Sequence, residues 1–385
     1  MADDKRCAPF ERAKGKFGFG CMRLPLLEDQ TVDNEAFCKM VDAFLAAGLN
    51  YFDTAKVYLK GQSEVALRDC LTSRYAREKY VLTDKLTASC FERRQDIRPL
   101  LEQQLKTLGV GYLDLYLMHA QSSQNYEKYQ ACHAYEEAFA AREAGLVRHV
   151  GISFHDSAEA LEGILTDHPD VEVVQLQLNY LDWESIAIQS RACWEVCRRH
   201  NKPVMVMEPV KGGTLVNLPQ EAREVLAEVA GRPFDPQLAA SYALRFAAGL
   251  EGVEMVLSGM GSQEMVDGNV ATFSPFAPLT DAERDTLDRV VQIINSGNSV
   301  PCTACRYCVD GCPKHIPIPD VFSCLNSQRS EGGFTGGFYY KVLTDKQGVG
   351  CAADCVRCGL CEKACPQHLP IRDLLAQANE ELAGK

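Results

Sequence analysis

Eight cysteines near the C-terminus set the strongest constraint on what this chain can fold into. Cys302-x2-Cys305-x2-Cys308-x3-Cys312-Pro313 is followed by Cys355-x2-Cys358-x2-Cys361-x3-Cys365-Pro366, the same spacing repeated. Three thiolates two residues apart can wrap one corner of an iron–sulfur cube, whereas a fourth just before proline reaches the other cube. The pattern predicts two [4Fe–4S] clusters with crossed ligation. Cys302, Cys305, Cys308 and Cys365 would hold one, and Cys355, Cys358, Cys361 and Cys312 the other. Zinc sites usually pair two C-x2-C units and have no use for a third cysteine and a Cys-Pro in each run. Disulfide frameworks belong to small secreted chains, and this chain has 385 residues.

The other ten of the 18 cysteines, Cys21, Cys38, Cys70, Cys90 and Cys193 among them, are scattered and expected to pack as small hydrophobes. The opening MADDKRCAPFERAKGK carries charge without the apolar stretch of a signal peptide. With oxygen-sensitive clusters, this points to a reducing, cytoplasmic and anaerobic setting. No run of 18 apolar residues exists, so membrane insertion is not expected. The net charge of −12 lies wholly in residues 1–300, because residues 301–385 hold nine basic and nine acidic side chains. An acidic main body argues against nucleic acid as a partner, since phosphate binding needs the opposite sign.

Ahead of the cysteines, short apolar runs alternate with helical patterns, the signature of βα units around a parallel sheet. Strands are expected near Phe17–Cys21, Asn50–Asp53, Tyr80–Lys85, Leu113–His119, His149–Ser153, Val173–Gln177, Pro203–Glu208 and Met255–Gly259. Helices are expected over Glu35–Ala47, Leu100–Leu108 and Ser185–His200. Eight units suggest a (β/α)8 barrel, although a strand count alone leaves an open sheet available. A last helix opens at Thr280-x-x-Glu283, a capping box, and ends in the breaker-rich Ser296-Gly297-Asn298-Ser299. The boundary is placed there: a barrel over residues 1–298, then a small ferredoxin-like dicluster domain over residues 299–385. Between the cysteine runs, the glycine-rich Gly332–Tyr340 is read as a segment that shields a cluster or docks on the barrel.

Asp53, Lys85 and His119 fall at the C-terminal ends of predicted strands, and Tyr58 lies five residues past Asp53. That edge of an α/β barrel is where active sites form. Singly, each has a plain reading as a helix cap, a strand end, a satisfied polar residue or a loop aromatic. Together they fit carbonyl reduction, in which the oxygen gains negative charge and must be protonated. Tyrosine, with a pKa of about 10, serves only if a cation favours its phenolate. Lys85 can be that cation, Asp53 can hold it in place, and His119 can hydrogen-bond the carbonyl oxygen.

At these residues the chain resembles the aldo-keto reductase superfamily. The motifs are Gly18-Phe19-Gly20, Tyr51-Phe52-Asp53-Thr54-Ala55 with Tyr58, Leu82-Thr83-Asp84-Lys85, and Leu113-Asp114-Leu115-Tyr116-Leu117-Met118-His119. Gly145-Leu146-Val147-Arg148 with Val150-Gly151-Ile152-Ser153 also matches, over roughly residues 15–295 in all. With its C-terminal part, the chain is similar to the subgroup fused to a bacterial-type 2[4Fe–4S] ferredoxin domain. The resemblance implies a (β/α)8 barrel, Tyr58 as general acid, and NADPH or NADH as cofactor. Ser153 and Gln175 match its nicotinamide-amide contacts, and Gly259, Ser262 and Asn269 match its phosphate loop. The pattern departs at Phe154, Met207 and Met265, where the family carries asparagine, tyrosine and arginine, and the loop lysine is missing. Lys211 beside Gly212-Gly213 is either a pyrophosphate contact or an exposed loop lysine. His155 is either close to the site or a cap for the following helix.

The expected function is carbonyl–alcohol interconversion on a small molecule, with one-electron transfer through the clusters as an added possibility that calls for a redox protein partner. The rival is a non-catalytic electron-transfer or redox-sensing subunit that keeps the barrel as scaffold. A hydride carries two electrons and each cluster accepts one; the usual converter is a flavin, and no flavin motif is evident.

Overall fold

The computed structural model describes residues 8–296, 299–300, 302, 304–331, 334–365 and 367–383. The boundary residue 298, Gly332 and Gly333, and Pro366 therefore lie outside the described residues. Eight strands follow in chain order: β1 Phe17–Gly20, β2 Tyr51–Asp53, β3 Val81–Leu86, β4 Leu113–Gln121, β5 Val147–Phe154, β6 Val174–Gln177, β7 Val204–Met207 and β8 Val253–Gly259. All neighbours are parallel, and β8 returns to pair with β1 (Gly18 opposite Leu257), so the sheet closes into a barrel. The open-sheet alternative is thereby removed.

Strand alternation explains what the barrel holds at each level. Tyr51, Val81, Leu115, Leu117, Val173, Met205 and Met255 turn inward and, with Phe10 and Ala13, fill the interior. Phe52, Leu82, Tyr116, Ile152 and Leu176 turn outward against the helices. Farther toward the C-terminal ends of the strands, the same inward face presents Asp53, Lys85, His119, Ser153 and Gln175. The site is therefore set by strand phase, with an apolar floor beneath it.

Local signals place the surrounding helices. Asp33 caps the helix Asn34–Ala46 by accepting from the Ala36 N–H at 3.0 Å. The Thr280–Glu283 box forms as expected, with Thr280 N donating to Glu283 Oε2 at 2.8 Å and Glu283 N donating to Thr280 Oγ1 at 3.3 Å. Cys21, Cys193 and Cys197 are buried thiols. Cys38 and Cys70 depart from that expectation. The helix Asn34–Ala46 packs on the turn Arg68–Thr72 so closely that the two side chains meet as a disulfide.

Past the barrel, Val300, Ile316, Val321, Leu325, Tyr339, Ile371 and Leu375 build a second core, joined by Ile188 from the barrel. Among the described residues, the glycine-rich segment is helical. From Phe334 to Thr344 it is a helix lying on the helix Ile318–Glu331. Gly336 makes this approach possible, since a Cβ there would stand 2.7 Å from the Cys324 carbonyl oxygen and the Gln328 nitrogen. The Phe334–Thr344 helix also docks on the C-terminal mouth of the barrel. Tyr339 donates to Gln177 Oε1 at 3.2 Å, and Gln124 Nε2 donates to the Lys341 carbonyl at 3.2 Å. Just beyond the helix, Lys346 pairs with buried Asp156 at 2.8 Å. Among the described residues, no helix is long and apolar enough to cross a membrane.

Candidate active site and cluster cages

At the barrel mouth Lys85 Nζ donates to Asp53 Oδ1 and to the Thr54 carbonyl, both at 2.7 Å. The pair is buried, and an ion pair out of water persists only when each charge has close partners. Tyr58 comes from the loop after β2, which turns back through Leu59 and Lys60 at φ 49° and 57°. Left-handed backbone at such non-glycine positions costs on the order of 1–3 kcal/mol each and persists where the surroundings over-determine it. The turn brings the Tyr58 ring to 4.7 Å from Lys85 Nζ and sets it edge-on to His119 at 5.8 Å. His119 is oriented by Thr87, whose Oγ1 lies 2.7 Å from Nδ1. Thr87 was not singled out from sequence; its position two residues past Lys85 is the signal that marks it.

The electrostatics follow from this packing. Burial opposes the Lys85 charge, but the Asp53 carboxylate and Tyr58 outweigh it and hold its pKa above the ordinary lysine value. Burial raises the Tyr58 phenol, and Lys85 pulls it partly back. Burial drives His119 well below its usual value, with the Lys85 and His155 charges adding to the effect. At neutral pH the mouth therefore holds an ammonium, a phenol that keeps its proton, and a neutral imidazole.

Ser153 and Gln175 face each other in register on β5 and β6, and Ser153 Oγ accepts from the Ala120 N–H at 2.7 Å. Gly259, Ser262 and Asn269 gather at a cleft of about 1240 Å³ beside β7 and β8. There Ser262 Oγ caps the helix Gln263–Thr272, and Asn269 is held between Ser258 Oγ (3.3 Å) and Gln237 Nε2 (3.2 Å). Arg23, from the loop after β1, also lines this cleft, lying against Gly259 with its guanidinium near Gly212. The sequence reading missed Arg23 because nothing near Cys21 marks it as a neighbour of β8.

Lys211 is not brought to the cleft. Its side chain is buried, with Nζ 2.6 Å from Asp182 Oδ1 and 3.4 Å from Ser327 Oγ of the C-terminal module. Both sequence readings, pyrophosphate contact and exposed lysine, give way to a buried ion pair within the barrel, whose ammonium also reaches Ser327 of the C-terminal module. The reason is Asp182: a buried carboxylate requires a cation, and Lys211 supplies it.

The eight motif cysteines frame two cavities. Cys302, Cys305, Cys308 and Cys365 line one, with Ile318, Phe322 and Ile371 around them. Cys312, Cys355, Cys358 and Cys361 line the other, with Ile316 and Leu375. Each cage takes three thiols from one run and the last from the other. Among the described residues, no three His, Cys, Asp or Glu side chains converge on a point as a single metal ion requires. Four thiols around an apolar-walled cavity are the donor set of an iron–sulfur cube. Gly350 lets the backbone of the two halves approach, since a Cβ there would fall 2.0 Å from the Lys314 carbonyl oxygen.

Comparison with known proteins agrees with both halves. The aldo/keto reductase family model matches residues 16–292, and the 4Fe-4S dicluster domain model matches residues 301–370. An aldo-keto reductase family 1 member of Mus musculus is 29% identical over 156 residues, covering 35% of this chain and 46% of that protein. An aldehyde reductase of Saccharomyces cerevisiae is 36% identical over 104 residues, covering 26% and 28%. The chain thus spans less than half the length of these curated relatives. The aldo-keto reductase of Klebsiella pneumoniae solved in complex with NADPH superposes with a TM-score of 0.58 at 21% identity, over 72% of this chain and 90% of that one. A likeness at that identity speaks for the fold. With the family model matching most of its length, the chain belongs to the aldo/keto reductase family and carries a 4Fe-4S dicluster domain behind its barrel.

Proposed function

We propose that the barrel interconverts a small carbonyl compound and its alcohol with NADPH or NADH, and that the eight cysteines hold two [4Fe–4S] clusters. The observation that carries the first part is the buried Asp53–Lys85 pair with its ammonium 4.7 Å from the Tyr58 ring. Tyr58 protonates the carbonyl oxygen as charge develops there. Lys85 stabilises the phenolate left behind, and Asp53 holds Lys85 charged and aligned. His119, neutral, donates a hydrogen bond to the same oxygen and fixes its direction. Ser153 and Gln175 hold the nicotinamide amide, and Gly259, Ser262 and Asn269 shape the phosphate end. The bound nucleotide supplies the hydride. Residue 298 separates the two working units, 1–298 and 299–385.

Arg23 supports phosphate binding in the cleft. Arg23→Ala is expected to weaken NADPH and NADH alike by about tenfold at low salt, with the gap narrowing as ionic strength rises. Nucleotide fluorescence titration checks this, and unchanged affinity removes Arg23 from the site.

A coupled reading, in which the clusters exchange electrons with the barrel's substrate pair and with a redox partner, is favoured by the helix Phe334–Thr344. Tyr339 bonds to Gln177 at the barrel mouth, while the Tyr340 hydroxyl accepts from Ala352 N (2.8 Å) near the second cage. Coupling needs a two-to-one electron converter such as a flavin. The deciding experiment is anaerobic addition of NADPH, NADH or alcohol while cluster absorbance is followed. Bleaching supports coupling. Clusters that stay oxidised during carbonyl turnover end it. Clusters that cycle in a barrel inactive on every carbonyl would favour the scaffold reading.

A further inference from the structure

Behind Lys85, on the outer face of the barrel, stands a second buried polar group. On β3, Leu82 and Leu86 turn outward into the apolar layer against the helices, and strand alternation sends Asp84 the same way. There it meets Glu64 of the helix Gln62–Leu67, which follows directly on the turn that carries Tyr58. Both residues are buried, and their carboxyls stand within hydrogen-bonding reach of each other.

The neighbours decide how many charges this spot can hold. Asp84 Oδ1 accepts from the Lys85 N–H at 2.8 Å, but buried Asp84 Oδ2 has no donor among the described residues. Gln104 Nε2, from the helix Arg94–Leu108, donates to Glu64 Oε1 at 3.4 Å and to the Lys85 carbonyl at 3.1 Å. Its oxygen accepts from the Tyr116 hydroxyl of β4 at 2.8 Å, and burial keeps that phenol protonated. Of the cations that face the pair, Lys85 turns its ammonium inward to Asp53 and Thr54, and half-buried Lys56 acts on Glu64 from the loop after β2. Two carboxylates in contact out of water do not both ionise. Burial, then repulsion by Glu64, lifts Asp84 well above the ordinary carboxyl range, and burial lifts Glu64 as well. One proton between them supplies the donor that Asp84 Oδ2 lacks.

We propose that Asp84 and Glu64 share one proton, and that the bond it makes ties the Tyr58 turn to the Lys85 strand, so that the pair positions the acid against its cation. The catalytic part rests on the carbonyl-reductase reading. Asp84 and Gln104 hold the peptide N–H and carbonyl of Lys85 from behind. Ser63, next to Glu64, bonds Thr54 Oγ1 at 2.7 Å, and the Thr54 carbonyl receives Lys85 Nζ. With the pair protonated, Tyr58 is also spared a second carboxylate charge besides Asp53.

The test uses the full cluster-loaded chain. Infrared difference spectra at neutral pH should show that Asp84→Asn and Glu64→Gln each lose the carbonyl stretch of a protonated carboxyl. Asp84→Asn, whose amide can donate where the proton stood, is expected to keep kcat within about threefold. Asp84→Leu suits the apolar layer but offers no bond. It is expected to lower kcat about ten- to a hundredfold at unchanged iron content and NADPH affinity. Amide exchange across residues 58–67, followed by mass spectrometry, should speed up several-fold in the same variant and return towards wild type with asparagine. Folding takes up the shared proton, because both carboxyls ionise in the unfolded chain. The wild-type melting temperature should therefore fall as pH rises from the ordinary carboxylate range towards the raised value of the pair, and Asp84→Asn should lessen that fall. A protonated-carboxyl signal untouched by both amide variants, or an Asp84→Leu protein with wild-type kcat and exchange, would overturn the proposal. If Asp84→Leu does not fold, Glu64→Leu takes its place in the exchange arm. A wild type inactive on all carbonyl probes would sink the carbonyl reading instead, and the infrared and exchange arms would still decide the shared proton and the tie.

Discussion

Tyr58→Phe is expected to lower carbonyl reduction by about 10²–10⁴-fold, the usual worth of a positioned acid–base group, while nucleotide affinity stays within about twofold. The substitution removes one oxygen and keeps the ring beside Lys85 and His119, so the apolar packing survives. Because the effect falls on the step that gains charge, it should appear in kcat and in kcat/KM alike. The pH profile adds an independent check. Burial raises the Tyr58 pKa and Lys85 only partly opposes it, so the protonated form persists upward in pH. Carbonyl reduction, which needs the proton, should hold through neutrality and fall in alkali. Alcohol oxidation, which needs the phenolate, should rise over the same range. Stopped-flow kinetics in both directions with fluorescence binding would show this, and wild-type turnover by Tyr58→Phe would take the residue out of the reaction.

Cys365→Ser is expected to empty the cage of the first cysteine run rather than that of its own. Iron and sulfide should fall by about half, since each cube is built on its own four ligands. The surviving signal should be that of the second-run cluster, and Cys312→Ser should give the mirror result. Because ligand binding by a site formed only in the folded chain contributes to folding, both variants should also unfold more readily. Iron analysis with low-temperature EPR of the reduced protein distinguishes the cases. Loss of the second-run cluster in Cys365→Ser would mean that the ligation is not crossed. The serine side chain keeps nearly the size of the thiol, so packing loss alone does not mimic the expected pattern.

The parts legible in the sequence were those that depend on local period and spacing. Buried parallel strands are apolar on both faces, so all eight appear as dense short runs, and strand ends mark Asp53, Lys85 and His119. The cysteine spacing carries the two cages in the same way. What stayed hidden depends on tertiary approach. Lys211 looks like a loop cation until Asp182 is seen to need it. Arg23 reaches Gly259 only because the barrel closes β8 onto β1. The segment Gly332–Tyr340 reads only as one that shields a cluster or docks on the barrel, and its helix from Phe334 onward stays hidden because glycine is a poor helix former; Gly336 serves the contact between two helices, which no local pattern reports. The Cys38–Cys70 pairing likewise needs two elements distant in sequence to be side by side.

The helix Phe334–Thr344 sits between the two cysteine runs in sequence and over the barrel mouth in space. Its position is therefore shared by two assembly problems that a cell solves separately, making the chain and delivering iron. Anything that binds only the assembled form draws the population towards it by mass action. Iron bound in the cages would then favour the docked arrangement of this helix, so that loading one half of the chain also steadies its contact with the other.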